Sequence, residues 1–293
     1  MQRFFAALLL IVTAVAGRAM ADVTTSQVLD ALKRTEGLVK SASGTTVVVT
    51  CDRGLKVSGV TSSGPINKTR KYAWMFQGSE WRHEVCATGE SSTGPCVQEG
   101  YCSGNWILYD PKTKAMQVYG PACRGRIGIL PLWAQYVGVA FSLDDRFART
   151  SSKIAASNAA VIGKESVAGS TAITLQGISP QGETVKWWLC PAYGYMPVKV
   201  EERSVCTSGE CKETMVVTTY GDYTEVAEGV WLPKTSSVIK TVTENDGSVS
   251  EDLRVEAKSE FNAVNVVFAN DQLRISPAAG ATVVYTESIK TAQ

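Results

Sequence analysis

The chain has 293 residues, 44% hydrophobic and 19% charged, a balance that supplies a large apolar core and argues against disorder. Lys plus Arg number 29 against 28 Asp plus Glu, so there is no basic excess to hold nucleic acid or anionic lipid. One histidine, His83, excludes a His-rich metal centre within a single chain.

The N-terminus reads as an export signal. Arg3 precedes an uncharged apolar run from Phe4 to Gly17, and Ala19-Met20-Ala21 fits the small-x-small cleavage rule. Fourteen apolar residues make about 21 Å of helix, short of a ~30 Å hydrocarbon core. The pattern predicts cleavage after Ala21, with residues 22–293 as a single exported domain of net charge −1 once Arg3 and Arg18 are removed. No later run is long enough to span a bilayer; Ile129 to Phe141 has 13 residues and contains Pro131 and Gln135.

Thr24-x-x-Gln27 has the form of a capping box, and Val28, Leu32, Thr35, Val39 and Ala42 follow at helical spacing. The spacing predicts an amphipathic helix over about 24–42, with Gly44 as its stop. Strands come next. Thr45–Thr50 is β-branched, Tyr72, Trp74 and Phe76 alternate, and Gln77-Gly78-Ser79 turns the chain into Trp81, His83 and Val85. Trp106–Tyr109, a turn at 110–114 and Met116–Tyr119 form another strand pair. Within Ile129–Phe141, Leu130, Trp133 and Val137 fall at i, i+3 and i+7 and predict a short apolar helix; residues 142–160 read as a polar connection.

The second half reads as strands at Ala172–Leu175, Thr184–Cys190, Met196–Val200, Thr214–Tyr220, Val230–Leu232, Ser236–Thr243 and Ser248–Val255. Ser179–Gly182, Pro191–Gly194 and Asn245–Gly247 supply turns. Their close spacing favours antiparallel hairpins over βαβ crossovers.

Cys51, Cys86, Cys96, Cys102, Cys123, Cys190, Cys206 and Cys211 all lie beyond the signal. An even count in an oxidising compartment predicts four disulfides. Zinc and thioredoxin-type redox chemistry are disfavoured because no Cys-x-x-Cys occurs. Cys206 and Cys211 flank a turn-like tetrapeptide and pair with each other; the other six leave 15 pairings open. At least one bridge pins the loop around Cys86, Cys96 and Cys102.

Catalytic patterns are missing. There is no Gly-x-Ser-x-Gly elbow, no P-loop and no dinucleotide fingerprint, and His83 reads as a half-exposed strand residue between Arg82 and Glu84. The acidic residues are scattered, so no carboxylate pair can be located. The abundance of tryptophan on strands points instead to a sheet core or to an apolar ligand cavity.

The Trp106-x-x-Tyr109-Asp110-Pro111-Lys112-Thr113-Lys114 hairpin resembles that of the LolA/LolB-type outer-membrane lipoprotein-sorting proteins. Trp188-x-Cys190-Pro191-x-x-Gly194-x-x-Pro197 resembles the family's W-x-D-P-x-x-G-x-P hairpin, with Cys190 where aspartate is usual. Gly229-Val230-Trp231-Leu232-Pro233 resembles its G-x-W-x-P strand start, and Phe268 through Pro277 and Gly280 to Val283 its closing segment. The likeness covers 24–120 loosely and 160–287 more fully. It implies an α+β fold: a curved antiparallel sheet, an open half-barrel, with helices covering the concave face.

The resemblance also implies a periplasmic, non-enzymatic carrier or sensor of a lipid or acylated lipoprotein. Such a protein needs no cofactor, acts as a monomer and meets an envelope protein partner. Tyr72, Trp74, Phe76, Trp81, Trp106 and Leu108 are assigned to the cavity wall, and Leu130, Trp133 and Val137 to a plug. The alternative is a disulfide-stiffened envelope interaction protein with a filled core.

Overall fold

A computed structural model describes residues 23–52, 66–87, 95–121, 149–206, 209 and 211–287. In chain order these form helix α1 (Thr25–Leu38) and strands β1 (Ser41–Asp52), β2 (Ile66–Gln77), β3 (Glu80–Ala87), β4 (Val97–Cys102), β5 (Asn105–Asp110) and β6 (Ala115–Tyr119). Helix α2 (Thr150–Ala156) leads into β7 (Ala160–Val167), β8 (Ser170–Ile178), β9 (Thr184–Cys190), β10 (Met196–Val205) and β11 (Glu213–Ala227). The long strands β12 (Val230–Thr243) and β13 (Val249–Val264) follow, then the single turn α3 (Asn270–Leu273) and β14 (Thr282–Thr286).

All fourteen strands belong to one open sheet, ordered β14-β6-β5-β4-β3-β2-β1-β13-β12-β11-β10-β9-β8-β7. Every pairing is antiparallel except β14 on β6. The α+β open-sheet architecture is the one expected. The β1–β13 pairing joins an early hairpin series to a late one, so the sheet cannot be built from local hairpins alone.

Helix α1 starts as its capping box requires, Thr24 Oγ1 accepting from Gln27 N and Gln27 Oε1 accepting from Thr24 N. It stops at Leu38 rather than near 42. Asn265 ends it: its amide donates to the Leu38 carbonyl at 2.8 Å and accepts from Lys40 N at 2.9 Å. Ala42, placed on the helix by spacing, is instead buried in β1. Gly44 is not a helix stop either. It faces Trp74 across the β1–β2 ladder, where a Cβ would lie 2.7 Å from the indole and 2.3 Å from the Glu260 carbonyl oxygen. Glycine is there so that Trp74 can lie against bare backbone.

The structure adds elements that the sequence pattern does not predict: β4, α2, β7, α3 and β14; Val230–Leu232 and Ser236–Thr243 are one strand despite Pro233. The Leu130, Trp133 and Val137 segment lies outside the described residues, as does the export signal.

Pairing register assigns side chains to two faces. The helix-bearing face carries Val185, Trp187 and Leu189 of β9 and Ile173 and Leu175 of β8, packed with Val28 and Leu32 of α1 and Ile154 of α2. It continues across β13, β1, β2 and β3 as a second apolar cluster. On the opposite face, the segment after β13 crosses β3–β6: Arg82 donates to the Arg274 carbonyl, Tyr109 Oη accepts from Ala278 N, and Ile275 packs with Tyr109 and Met116. That crossing delivers β14 to its edge position.

Among the described residues two disulfides are present, Cys86–Cys96 and Cys206–Cys211. The first closes the end of the β3–β4 hairpin, and the second is the pair that its turn predicted. Cys51, Cys102 and Cys190 are unbonded, and Cys123 lies outside the described residues, so the expectation of four bridges is corrected to two among the described residues. Cys102 and Cys190 are buried within strands on well-separated parts of the sheet, where each fills space as a small apolar side chain.

Candidate functional site

The period-2 alternation of β2 sends Tyr72, Trp74 and Phe76 to the helix-bearing face, and the β2–β3 register sets Val85, His83 and Trp81 opposite them. Tyr72, Trp74, Phe76 and Trp81 are all at most 3% exposed. Trp81 pairs with Tyr101 of β4, and Tyr101 with Trp106 of β5; Leu108 follows two positions on. The six residues assigned to a wall therefore do share one face over β2, β3 and β5. Trp74 and Phe76 stack at 6.5 Å, and Trp81 and Trp106 meet edge to face at 5.2 Å. The three plug residues lie outside the described residues.

Polar groups are threaded through this wall. Trp74 Nε1 donates to Thr46 Oγ1 at 2.9 Å, and Thr46 bonds Ser259 on β13 at 2.9 Å. His83 is not half-exposed: it is 2% exposed, stacked on Trp81 at 5.3 Å. Its Nε2 lies 3.2 Å from Glu99 Oε2 on β4. The carboxylate that the sequence left unplaced is thus opposite His83 in the β3–β4 register. Thr46, Glu99, Tyr101 and Ser259 were missed because each is ordinary in its local sequence and becomes part of the wall only through long-range pairing.

The other half of this face is occupied by helices. Thr35 of α1 donates to the Gly194 carbonyl, and α1 and α2 are tied by Glu36, whose carboxyl accepts from Ser151 N at 3.1 Å and from Ser151 Oγ. Burial raises the Glu36 pKa, against the Ser151 hydrogen bonds and Arg149, which lower it. Glu202 on β10 is likewise raised by burial, offset in part by Lys153 of α2. Tyr223, pushed well above its ordinary value by burial, donates to the Pro197 carbonyl and stacks on Tyr193 at 4.3 Å. Among the described residues no group of His, Cys, Asp and Glu is arranged to hold a metal ion.

On the opposite face a groove of about 630 Å³ runs between Val47 and Val49 of β1 and the β7–β8 turn, with Thr219, Ser237, Glu256 and Lys258 along its floor.

The chain superposes on a domain from Vibrio parahaemolyticus described as an outer membrane lipoprotein-sorting protein, with TM-score 0.51 and 13% identity, over 84% of this chain and 95% of that one. The chain shares the fold of that domain. A DUF1329 family protein from Desulfovibrio piger overlaps more loosely, with TM-score 0.49 and 9% identity over 85% of this chain and 96% of that one. The MucA/MucB complex from Pseudomonas aeruginosa gives TM-score 0.27 and 11% identity over 80% and 94%. No family model matches the sequence, and no curated protein matches it. In this fold the aromatic wall lies on the helix-bearing face, beside α1 and α2. Among the described residues no helix is long and apolar enough to cross a membrane.

Proposed function

We propose that this chain is a periplasmic carrier or sensor that takes an acyl chain, from a lipid or an acylated lipoprotein, against the wall formed by Tyr72, Trp74, Phe76, Trp81, Trp106 and Leu108. The observation that carries this reading is the continuity of that wall: aromatic side chains from three strands on one face, next to a half already covered by helices. The lipoprotein-sorting fold agrees with it, and two disulfides suit an oxidising compartment. Leu130, Trp133 and Val137 are proposed as the plug that the ligand replaces.

The energetics suit a reversible exchange. Burying one large apolar side chain is worth ~1.5–3 kcal/mol, and a methylene about 0.8 kcal/mol. An acyl chain that displaces a few such side chains therefore gains and loses comparable amounts. The burial of Trp81 and Phe76 equally fits the alternative, an interaction scaffold whose core is simply full.

Titration with cis-parinaric acid separates the two. A carrier gives saturable binding near one ligand per chain, with energy transfer from the wall tryptophans. Trp133→Asp, which disfavours a closed plug, raises uptake. Absence of binding in both the parent and a folded Trp133→Asp variant contradicts the carrier and leaves the scaffold.

A further inference from the structure

Buried polar groups in this protein are as a rule paired. The indole of Trp74 donates to Thr46, and that of Trp188 to Glu165 Oε2 at 2.9 Å. Among the described residues Thr174 Oγ1 on β8 and Ser236 Oγ on β12 are single exceptions, and one place on the aromatic wall breaks the rule three times. Trp81 Nε1, Trp106 Nε1 and Glu99 Oε1 are all buried and have no hydrogen-bond partner. Their residues adjoin on one face of β3, β4 and β5: Trp81 and Trp106 are in edge-to-face contact, and Glu99 Oε2 lies 3.2 Å from His83 Nε2, whose ring stacks on Trp81. An unpaired buried polar atom costs on the order of 1–3 kcal/mol, and a cluster of them marks a place built for a polar guest.

The unmet valences define that guest: two N–H donors and one carboxyl oxygen acceptor, set in aromatic surroundings. We infer that this cluster binds the secondary amide of an N-acylated ligand, the carbonyl oxygen accepting from Trp81 and Trp106 and the amide N–H donating to Glu99 Oε1. An amide carbonyl has two lone pairs and its nitrogen one hydrogen, so every open position on both sides is filled. An ester offers a carbonyl but no donor, and leaves Glu99 Oε1 unmet. A hydrocarbon chain leaves all three unmet. Glu99, Trp81 and Trp106 are thereby specificity-determining residues, selecting amide-linked over ester-linked acyl chains. The inference rests on the acyl-binding reading above and adds the linkage chemistry to it.

The test uses three probes of equal chain length on the full exported protein after delipidation: N-methylpalmitamide, N,N-dimethylpalmitamide and methyl palmitate, each displacing cis-parinaric acid. The secondary amide is expected to bind about tenfold or more tighter than the other two, the margin of a hydrogen bond to a carboxyl group in a buried site. Glu99→Leu is expected to abolish that margin, so that the secondary amide falls to the affinity of the other two probes. Trp106→Phe keeps an aromatic side chain, smaller than the indole, and removes the donor; it should weaken the amides and the ester alike by about threefold to tenfold, leaving the N–H-dependent preference in place. Equal affinity of the three probes for the parent would overturn the assignment and leave the three groups to ordered water, with acyl binding itself intact. A preference that survives in Glu99→Leu would overturn the role of Glu99. If no probe displaces cis-parinaric acid because none binds, the acyl reading itself falls, and the inference with it.

Discussion

Thr35 Oγ1 donates to the carbonyl oxygen of Gly194 at 2.7 Å, joining the first helix to a turn 159 positions away. Gly194 follows the short helical turn Pro191–Tyr193 with φ of 65°, a left-handed conformation that glycine adopts without strain. A Cβ there would lie 2.5 Å from Thr35 Oγ1. Gly194→Ala therefore meets both a backbone and a steric penalty, and should destabilise the protein by about 2–4 kcal/mol. Urea unfolding checks it. Thr35→Val, which removes the hydroxyl and keeps the branch, should cost about 1–2 kcal/mol. A neutral Gly194→Ala would mean that α1 is not docked on this turn.

Gly44 makes the matching contact on the wall side. Its place opposite Trp74, with no room for a Cβ, predicts that Gly44→Ala costs about 1–3 kcal/mol by overpacking. Near-ultraviolet circular dichroism should change as well, because Trp74 has to leave its contacts with Phe76 and Phe261.

The cysteine arithmetic is directly measurable. Thiol titration of the denatured, unreduced protein should find at least three free thiols, from Cys51, Cys102 and Cys190. A count of zero would restore the four-bridge pattern and contradict the unbonded state of these three cysteines. Cys206→Ser should cost little, below the ~2–4 kcal/mol of a typical bridge, because the loop it closes is short.

Glu202 supplies a pH signature. Burial raises its folded-state pKa above the ordinary 4.5, with Lys153 opposing and Glu183 adding to the rise. The folded state then binds more protons than the unfolded state, so this group's contribution is fully present below pH 4.5 and is lost as pH rises through the folded value. Glu202→Gln should match or exceed the parent in stability at pH 7, and lose that advantage as pH falls to 4.5. Chemical denaturation at several pH values checks it; an advantage that grows on acidification would reverse the sign.

What could be read from the sequence was local. The capping box of α1, the alternation of Tyr72, Trp74 and Phe76, the turns at Gly78, Gly182 and Asn245–Gly247 and the Cys206–Cys211 hairpin each follow from residues a few positions apart. What could not be read depended on distant pairing. Asn265 ends α1 from 227 positions away, and Ser259 reaches Thr46 across 213. β4 was hidden because Gly100 interrupts its pattern; glycine is needed there since a Cβ would lie 2.7 Å from the Trp81 carbonyl oxygen and 3.2 Å from Ile275. With β4 unread, Glu99 had no strand to sit on and its partnership with His83 was invisible. The wall itself was legible because aromatic alternation is local, whereas the polar cluster inside it was not.

Photo-crosslinking with a diazirine-bearing fatty acid, followed by peptide mapping, tests the acyl-binding wall most directly. Saturable labelling, competed by unlabelled palmitate, is expected on the strand segments carrying Tyr72, Trp74, Phe76, Trp81 and Trp106. Labelling confined to Val47, Val49, Thr219 and Ser237, which line the groove of the opposite face, or no saturable labelling at all, would contradict it.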